Sequence, residues 1–116
     1  MVNIYDKTHE LAAIIKECDE YKNYITLKEA VEKDDTTKAL LKEYKQLQMQ
    51  LQAAYMSGTE MDADSSEKFK KLGEVLQFNK EVAEYLMAEH RFYTLIGDIY
   101  KILGDAAQVD LGFMEG

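Results

Sequence analysis

The sequence predicts an all-α protein, an antiparallel bundle of about five helices with a long C-terminal helix. The chain has 116 residues, no proline and six glycines, so little in it would interrupt long helices. Apolar residues recur at spacings of three and four, whereas the alternation typical of strands is hard to find. We expect one helical domain over residues 1–104, followed by a short tail over 105–116.

The first two helices are predicted over 3–18 and 20–33. Ile4, Thr8, Leu11, Ile15 and Cys18 follow spacings of 4, 3, 4 and 3, which places them on one helix face. Asn3 suits an N-cap because its side chain can accept a hydrogen bond from the first turn. Cys18 is interpreted as a small buried hydrophobe. The joint has no glycine or proline, so one bent helix is the alternative.

The third helix is predicted over about 36–57 and carries the most regular apolar stripe. Its members are Leu40, Tyr44, Leu47, Leu51 and Ala54, at the period that packs helices in bundles. Met49 and Met56 lie one heptad apart on the opposite side. They form either a flexible partner contact, which methionine suits, or a chance exposure. Gly58 ends this helix by adopting left-handed geometry.

The fourth helix is predicted over about 65–77, after the loop 58–64. Asp64 and Glu67 resemble a capping box at its start. Gly73 in the helix interior costs about 1 kcal/mol relative to alanine, which suggests that it permits a close helix contact. Gly97, in the last helix, invites the same interpretation.

The long C-terminal helix is predicted over 79–104, about 39 Å in length, with Asn79 as its cap and Gly104 as its end. Its apolar residues cover about half of its circumference, more than one-sided packing needs. We therefore expect a second subunit or a partner on part of this face. The candidate interface residues are Met49, Met56, Leu86, Phe92, Tyr93, Ile96, Ile99, Tyr100 and Leu103.

Glu89 is the one acidic residue within that apolar arc. A buried carboxylate needs a partner because an unpaired buried charge is costly, so Glu89 is a candidate buried polar group. In the tail, Leu111, Phe113 and Met114 are apolar. The tail could dock on the bundle, reach a neighbour or fray, and fraying is the default for a terminus.

Charge and cysteine content restrict the function. The net charge of −8 and pI of about 4.7 argue against nucleic-acid partners and against anionic membranes. No run of 18 apolar residues predicts a membrane span, and the N-terminus does not resemble a signal peptide. The single cysteine, Cys18, favours a reducing cytoplasm.

The sequence lacks the common motifs for catalysis and for metal or cofactor binding. There is no phosphate-binding glycine loop, GxSxG, HExxH or CxxC. The acidic run from Glu60 lacks the glycine and the final glutamate of an EF-hand, which has Lys71 instead. His9 and His90 do not complete the paired Glu-x-x-His pattern of a di-iron bundle. We therefore predict no catalytic residue, no metal and no cofactor.

Four short blocks resemble the YlbF/YmcA family of small bacterial helical proteins, and most closely its YheA-like branch. The blocks are Val2-Asn3-Ile4-Tyr5-Asp6, Asp19-Glu20-Tyr21-Lys22, Gln48–Gln52 leading to Gly58, and Leu86-Met87-Ala88-Glu89-His90-Arg91. The resemblance implies a self-associating helical bundle. It also implies kinship with regulators of competence, sporulation and biofilm formation that join a multi-protein complex. Those relatives carry C-terminal cysteines associated with an iron–sulfur cluster, which this tail lacks.

The sequence is compatible with three functions. The first is a self-associating adaptor that binds itself and another regulatory protein, and it is favoured by the wide apolar arc and the missing catalytic constellation. The second is an enzyme or ligand carrier with a pocket around Glu89. The third is a redox or metal sensor, by analogy with the cysteine-bearing relatives.

Overall fold

The computed structural model describes residues 3–109, and this range contains five α-helices and no strand. In chain order they are α1 (Ile4–Glu17), α2 (Asp19–Glu32), α3 (Asp35–Met56), α4 (Ala63–Gln77) and α5 (Lys80–Ala107). The all-α prediction with about five helices is confirmed, and α5 is the longest helix at 28 residues. The apolar tail residues Leu111, Phe113 and Met114 lie outside the described range.

The predicted asparagine caps are both present. The Asn3 side-chain oxygen accepts hydrogen bonds from the backbone N–H groups of Tyr5 at 2.8 Å and Asp6 at 3.4 Å. The Asn79 side-chain oxygen accepts one from the N–H of Val82 at 3.2 Å. These bonds satisfy donors that a helix start leaves without an intrahelical acceptor.

The predicted capping box of α4 is wrong by two residues. The cap is Asp62, whose carboxylate accepts a hydrogen bond from the backbone N–H of Ser65 at 3.0 Å. That bond holds the pKa of Asp62 below its ordinary value. The loop has acidic residues at alternate positions, so more than one of them could cap the helix. Asp62 is the one whose side chain accepts a hydrogen bond from the N–H group three residues later.

The predicted end of the last helix is wrong. Gly104 does not end α5, which continues to Ala107, and Gln108 takes the positive φ of 56°. A glycine costs only about 1 kcal/mol inside a helix, too little to stop one by itself.

Cys18 has extended backbone (φ −75°, ψ 152°) between α1 and α2, so these are two helices. Gly58 has the predicted positive φ, 72°.

The chain divides into two compact units, and the divisions fall within α2 and α5. We call Leu27–Tyr85 the central unit, and residues 3–26 with 86–109 the terminal unit. Among described residues, the central unit holds six of the eight buried hydrophobic side chains: Val31, Leu41, Leu47, Leu76, Val82 and Tyr85. The terminal unit holds the other two, Tyr24 and Ala88.

In the central unit, α3 and α4 pack against each other as an antiparallel pair. The rings of Tyr44 and Phe69 stack with centroids 4.9 Å apart, and Lys68 forms an ion pair with Glu43. A Cβ on Gly73 would lie 3.4 Å from the Tyr44 ring, at van der Waals contact, so this glycine lies at the α3–α4 contact as predicted, although a methyl group would also fit there. The same interpretation of Gly97 is wrong, because a Cβ there would meet no atom within 4 Å.

Candidate interaction surfaces

The apolar face of α1 is the first candidate surface, because none of its residues is fully buried. Ile4 is 76% exposed, Ile14 is 65% exposed and Leu11 is 36% exposed. Cys18, expected to be buried, is a half-buried free thiol. The sequence pattern predicted this face, but it did not reveal that the described chain leaves Ile4 and Ile14 exposed and covers Ile15 only in part.

The part of α5 that lies in the terminal unit carries most of the predicted interface. Tyr93 is 55% exposed and Leu103 is 51% exposed. The remaining predicted members of this helix are half-buried: Leu86, Phe92, Ile96, Ile99 and Tyr100. The prediction did not include Ile102, which is 67% exposed, or Met87, which is 56% exposed. Ile102 was detectable, since it lies one heptad after Leu95 at the edge of the same arc.

An aromatic cluster holds α2 against α5 within the terminal unit. The Tyr24 ring stacks on Phe92 with centroids 5.3 Å apart and planes 18° apart. Tyr21 meets Phe92 at 5.3 Å in a tilted arrangement, and Tyr24 meets Tyr93 at 6.0 Å. Aromatic pairs in these geometries add about 0.5–1.5 kcal/mol beyond their buried area. One side of α5 is therefore occupied by its own chain at this level of the helix.

The second candidate surface lies on the outer side of α3, in the central unit. Met49 is 68% exposed, Tyr55 is 85% exposed and Met56 is 80% exposed. Leu51, predicted to belong to the packed stripe of this helix, is instead 41% exposed. The burial of α3 is confined to Leu41 and Leu47. The end of α3 thus presents an apolar patch that includes both methionines of the predicted interface.

Glu89 is half-buried rather than fully buried, and it has an interaction partner. It therefore is not an isolated charge in an apolar site. A shallow groove along α4 is lined by Lys68, Lys71 and their neighbours, and does not include Glu89. Lys71 already pairs with Glu67 at 3.1 Å. Within residues 3–109, no three His, Cys, Asp or Glu side chains are grouped to hold a metal ion.

Comparison with known proteins places the chain in a family. The family described as "Control of competence regulator ComK, YlbF/YmcA" matches residues 4–107. The chain belongs to the YlbF/YmcA family. A UPF0342 protein of Symbiobacterium thermophilum is 36% identical, over 95% of this chain and 98% of its own length. A UPF0342 protein of Clostridium novyi is 37% identical, over 94% and 96% respectively.

Solved structures of similar fold come from Bacillus species. A protein of unknown function (DUF964) from Bacillus stearothermophilus matches with a TM-score of 0.72 at 18% identity, over 90% of this chain and 92% of its own. YheA of Bacillus subtilis matches with a TM-score of 0.64 at 20% identity, over 92% and 97%. Bacillus subtilis RicA, solved in complex with RicF, matches with a TM-score of 0.59 at 17% identity, over 90% and 93%.

These comparisons confirm the predicted family and fold class, including the YheA-like resemblance. At such low identity, the solved structures establish the shared fold only. Among the helices between residues 3 and 109, none is long and apolar enough to cross a membrane.

Proposed function

We propose that this protein is a regulatory adaptor that binds other proteins through exposed helix faces and also associates with itself. The single observation that carries this proposal is the set of large apolar side chains that the terminal unit leaves exposed. There, α1 buries no residue, and α5 exposes Tyr93, Ile102 and Leu103. Leu103 lies on the side of α5 that carries the half-buried Phe92 and Ile96, whereas Tyr93 and Ile102 lie at opposite edges of the apolar arc. A contiguous apolar surface marks an interaction site, whereas singly scattered apolar residues do not.

The family relationship supports a regulatory role. The description of the family names control of the competence regulator ComK. RicA, which shares the fold, was crystallised in complex with RicF. A fold made of amphipathic helices can bind a helical partner by laying one apolar face against another. For this chain we propose a protein partner that is itself regulatory, in the cytoplasm, with neither nucleic acid nor membrane involved.

The proposed interface follows the exposed and half-buried residues of α5. It comprises Leu86, Phe92, Tyr93, Ile96, Ile99, Tyr100 and Leu103. The α3 patch, with Met49 and Met56, provides a second surface for a different partner, because the flexible methionine side chain adapts to varied shapes. We propose no catalytic step and no cofactor for either surface.

A pull-down from the host with cross-linking and mass spectrometry tests the adaptor role. The bait is the tagged chain, compared with Tyr93→Glu and with Thr94→Glu, which adds the same charge at an exposed position around the helix. We expect a stoichiometric partner with the wild type and Thr94→Glu, and its loss with Tyr93→Glu. Recovery of no partner, or equal recovery with both variants, would overturn the assignment of the α5 surface.

The α3 patch is tested in the same way with Met56→Glu. Its matched control is Gln50→Glu, at an exposed position about 120° around the helix from Met56. If Met56→Glu removes a partner that Tyr93→Glu leaves bound, the two surfaces serve different proteins. If neither variant changes the recovered proteins, Met49 and Met56 are exposed without a binding role.

A further inference from the structure

The segment that contains the α3 patch is exposed and carries no charge. Residues 46–59 include no charged side chain, although 31% of the chain is charged. Within this segment only Leu47 is buried and only Ala54 is half-buried. The exposed face of a surface helix is ordinarily rich in charged residues. Here glutamines and large apolar side chains supply most of the surface, so a few side chains set its polarity.

Met49 and Met56 lie on one side of this segment. They are seven positions apart, so they differ by about 20° around the helix axis and by about 10 Å along it. Met49 points about 160° away from the buried Leu47. The two methionines are 68% and 80% exposed. Both side chains are therefore accessible to small molecules in water.

The other sulfur-containing residues of the described chain are less exposed. Met61, in the loop after α3, is half-buried, and Met87, in α5, is 56% exposed. The single cysteine, Cys18, is a half-buried free thiol. Between residues 3 and 109, the sulfur-containing side chains with the greatest exposure are therefore those of the α3 patch.

We infer that Met49 and Met56 form a redox-sensitive modification site, and that their oxidation to methionine sulfoxide turns off binding at the α3 patch. This inference rests on the proposed protein-binding role of that patch and names its regulation. The oxidant is a two-electron oxygen donor of the peroxide class. Methionine sulfoxide reductases convert the product back to methionine, so the modification is reversible.

The oxidation requires no catalytic residue of this chain. A lone pair of the thioether sulfur attacks one oxygen of hydrogen peroxide, so that an S–O bond forms and the O–O bond breaks. The second oxygen leaves as hydroxide and takes up the proton of the transferred oxygen, which gives one sulfoxide and one water molecule. The sulfur loses two electrons, and the peroxide accepts them.

The sulfoxide affects the free chain and the complex differently. Oxidation converts a flexible apolar side chain into a polar one. In the free chain the new oxygen remains hydrated, because Met49 and Met56 are exposed. In a complex formed through the α3 patch, that oxygen has to leave water, and burial of a polar group without a hydrogen bond is unfavourable. We expect binding to weaken at least about tenfold for each buried sulfoxide.

The first experiment measures which methionines react. A purified Cys18→Ser chain is treated with hydrogen peroxide, so that no thiol competes for the oxidant. Trypsin cleavage after lysine produces a single peptide, 46–68, that carries Met49, Met56 and Met61 together. Fragment-ion mass spectrometry then compares their oxidation within one peptide. We expect Met49 and Met56 to react at similar rates, and Met61 to react several-fold more slowly because it is half-buried.

The second experiment measures the effect of oxidation on the purified chain, with phenyl-agarose as the probe of apolar surface. The matched control is a Met49→Leu/Met56→Leu variant in the Cys18→Ser background, since leucine has a similar volume and is not oxidised by peroxide. We expect oxidation to make the methionine-containing chain elute earlier and to shift the leucine variant much less. The urea denaturation midpoint should stay the same, because both methionines are exposed.

The third experiment tests regulation with the host partner. The immobilised chain is oxidised, treated with catalase and mixed with host lysate that has been desalted to remove reductants. A second portion is first treated with the two reductases that act on the two sulfoxide epimers. We expect oxidation to lower partner recovery at least about tenfold and the reductases to restore it. The Met49→Leu/Met56→Leu variant should bind in every state, and Met49→Gln/Met56→Gln should bind weakly without oxidant.

Three results would overturn the inference. They are oxidation of Met61 as fast as that of Met49 and Met56, partner recovery that oxidation leaves unchanged, and an equal loss of the partner from the oxidised leucine variant. If Met56→Glu removes the partner but oxidation does not, the α3 patch is a binding surface and only its regulation is wrong. If Met56→Glu leaves the partner bound, the proposed role of the α3 patch is wrong, and its regulation with it.

Discussion

The central and terminal units share one helix pattern but bury it to different extents. In α3, the stripe with spacings of 4 and 3 includes Leu47, which is 7% exposed. In α1, the same spacing includes Leu11, which is 36% exposed, and it is flanked by Ile14 at 65%. The central unit supplies its own cover through α4, while α1 has no buried residue at all.

This difference shows what amphipathic spacing does and does not encode. The spacing specifies that one face of a helix has to leave water, because apolar area in water costs about 25 cal/mol per Å². It does not specify whether the covering surface belongs to the same chain or to another. Exposure in the folded chain supplies that second piece of information, and it separates α1 from α3.

The largest expected effect comes from truncating one apolar side chain in each unit. Leu76 is 3% exposed and Ile14 is 65% exposed. Leu76→Ala should lower the free energy of unfolding by about 2–5 kcal/mol, since it removes buried contacts and leaves a cavity. Ile14→Ala should change it by less than about 0.5 kcal/mol when the protein is dilute and monomeric. Urea denaturation followed by circular dichroism measures both.

Similar losses of stability in the two variants under dilute conditions would contradict this difference between the central unit and α1. That result would mean that the chain covers α1 by itself in solution. If instead Ile14→Ala is neutral in dilute protein and destabilising in concentrated protein, the comparison sharpens. The concentration dependence would then assign the cover of α1 to a second molecule, because binding stabilises only the folded state to which it occurs.

An intermediate effect is expected for a polar contact in the central unit. The Lys45 ammonium donates a hydrogen bond to the Tyr85 hydroxyl at 2.7 Å, and Tyr85 is 2% exposed. Tyr85→Phe should cost about 1–2 kcal/mol, because a hydrogen bond from a charged donor is lost. The cost should fall at the lower end, since Lys45 has a further interaction. Thermal and urea unfolding both report this loss.

Tyr55→Phe is the matched control, because Tyr55 is 85% exposed in the same unit. We expect its effect on unfolding to stay within about 0.5 kcal/mol. A Tyr85→Phe variant as stable as this control would show that the buried hydroxyl contributes nothing, and would leave apolar burial as the main stabilising term of the central unit.

Much of the fold was predictable because it depends on local chemistry. Asn3 and Asn79 cap helices through hydrogen bonds that span two or three residues, and Gly58 satisfies a local requirement for positive φ. The errors arose where several residues could take the same role, or where the outcome depends on residues that are distant in the sequence. The cap of α4 is Asp62 and not Asp64, which belongs to the same acidic loop. Leu51 is 41% exposed although it follows the spacing of the packed stripe, because periodicity does not record which neighbours the fold brings beside a helix.

The candidate surfaces were predictable only in part. Met49, Met56, Tyr93 and Leu103 were correctly placed on apolar helix faces and are exposed, although their binding role remains a prediction. The exposure of α1 was not predicted, because its stripe has the same spacing as a core stripe. Nothing in a sequence pattern distinguishes the two until the neighbours of each helix are known.

The smallest expected effect uses the two glycines that were predicted to permit close contacts. Gly97 lies in the terminal unit beside open space, so Gly97→Ala should stabilise the protein by the full helix preference of alanine, about 1 kcal/mol. At Gly73 the new methyl group would lie 3.4 Å from the Tyr44 ring. There the same preference should be partly offset by adjustment of that ring, giving about 0.5 kcal/mol. Both values come from urea denaturation of dilute protein.

The two glycine variants test the comparison directly, because the same substitution is made on an open helix surface and in a packed one. A destabilising Gly73→Ala would show that α3 and α4 approach too closely for even a methyl group. A Gly97→Ala variant that is stabilised in dilute protein but associates less tightly would place Gly97 against the second copy. Equal stabilisation of both variants at every concentration would instead remove the glycines from either interface, and would leave the α1 stripe as the feature that distinguishes the two units.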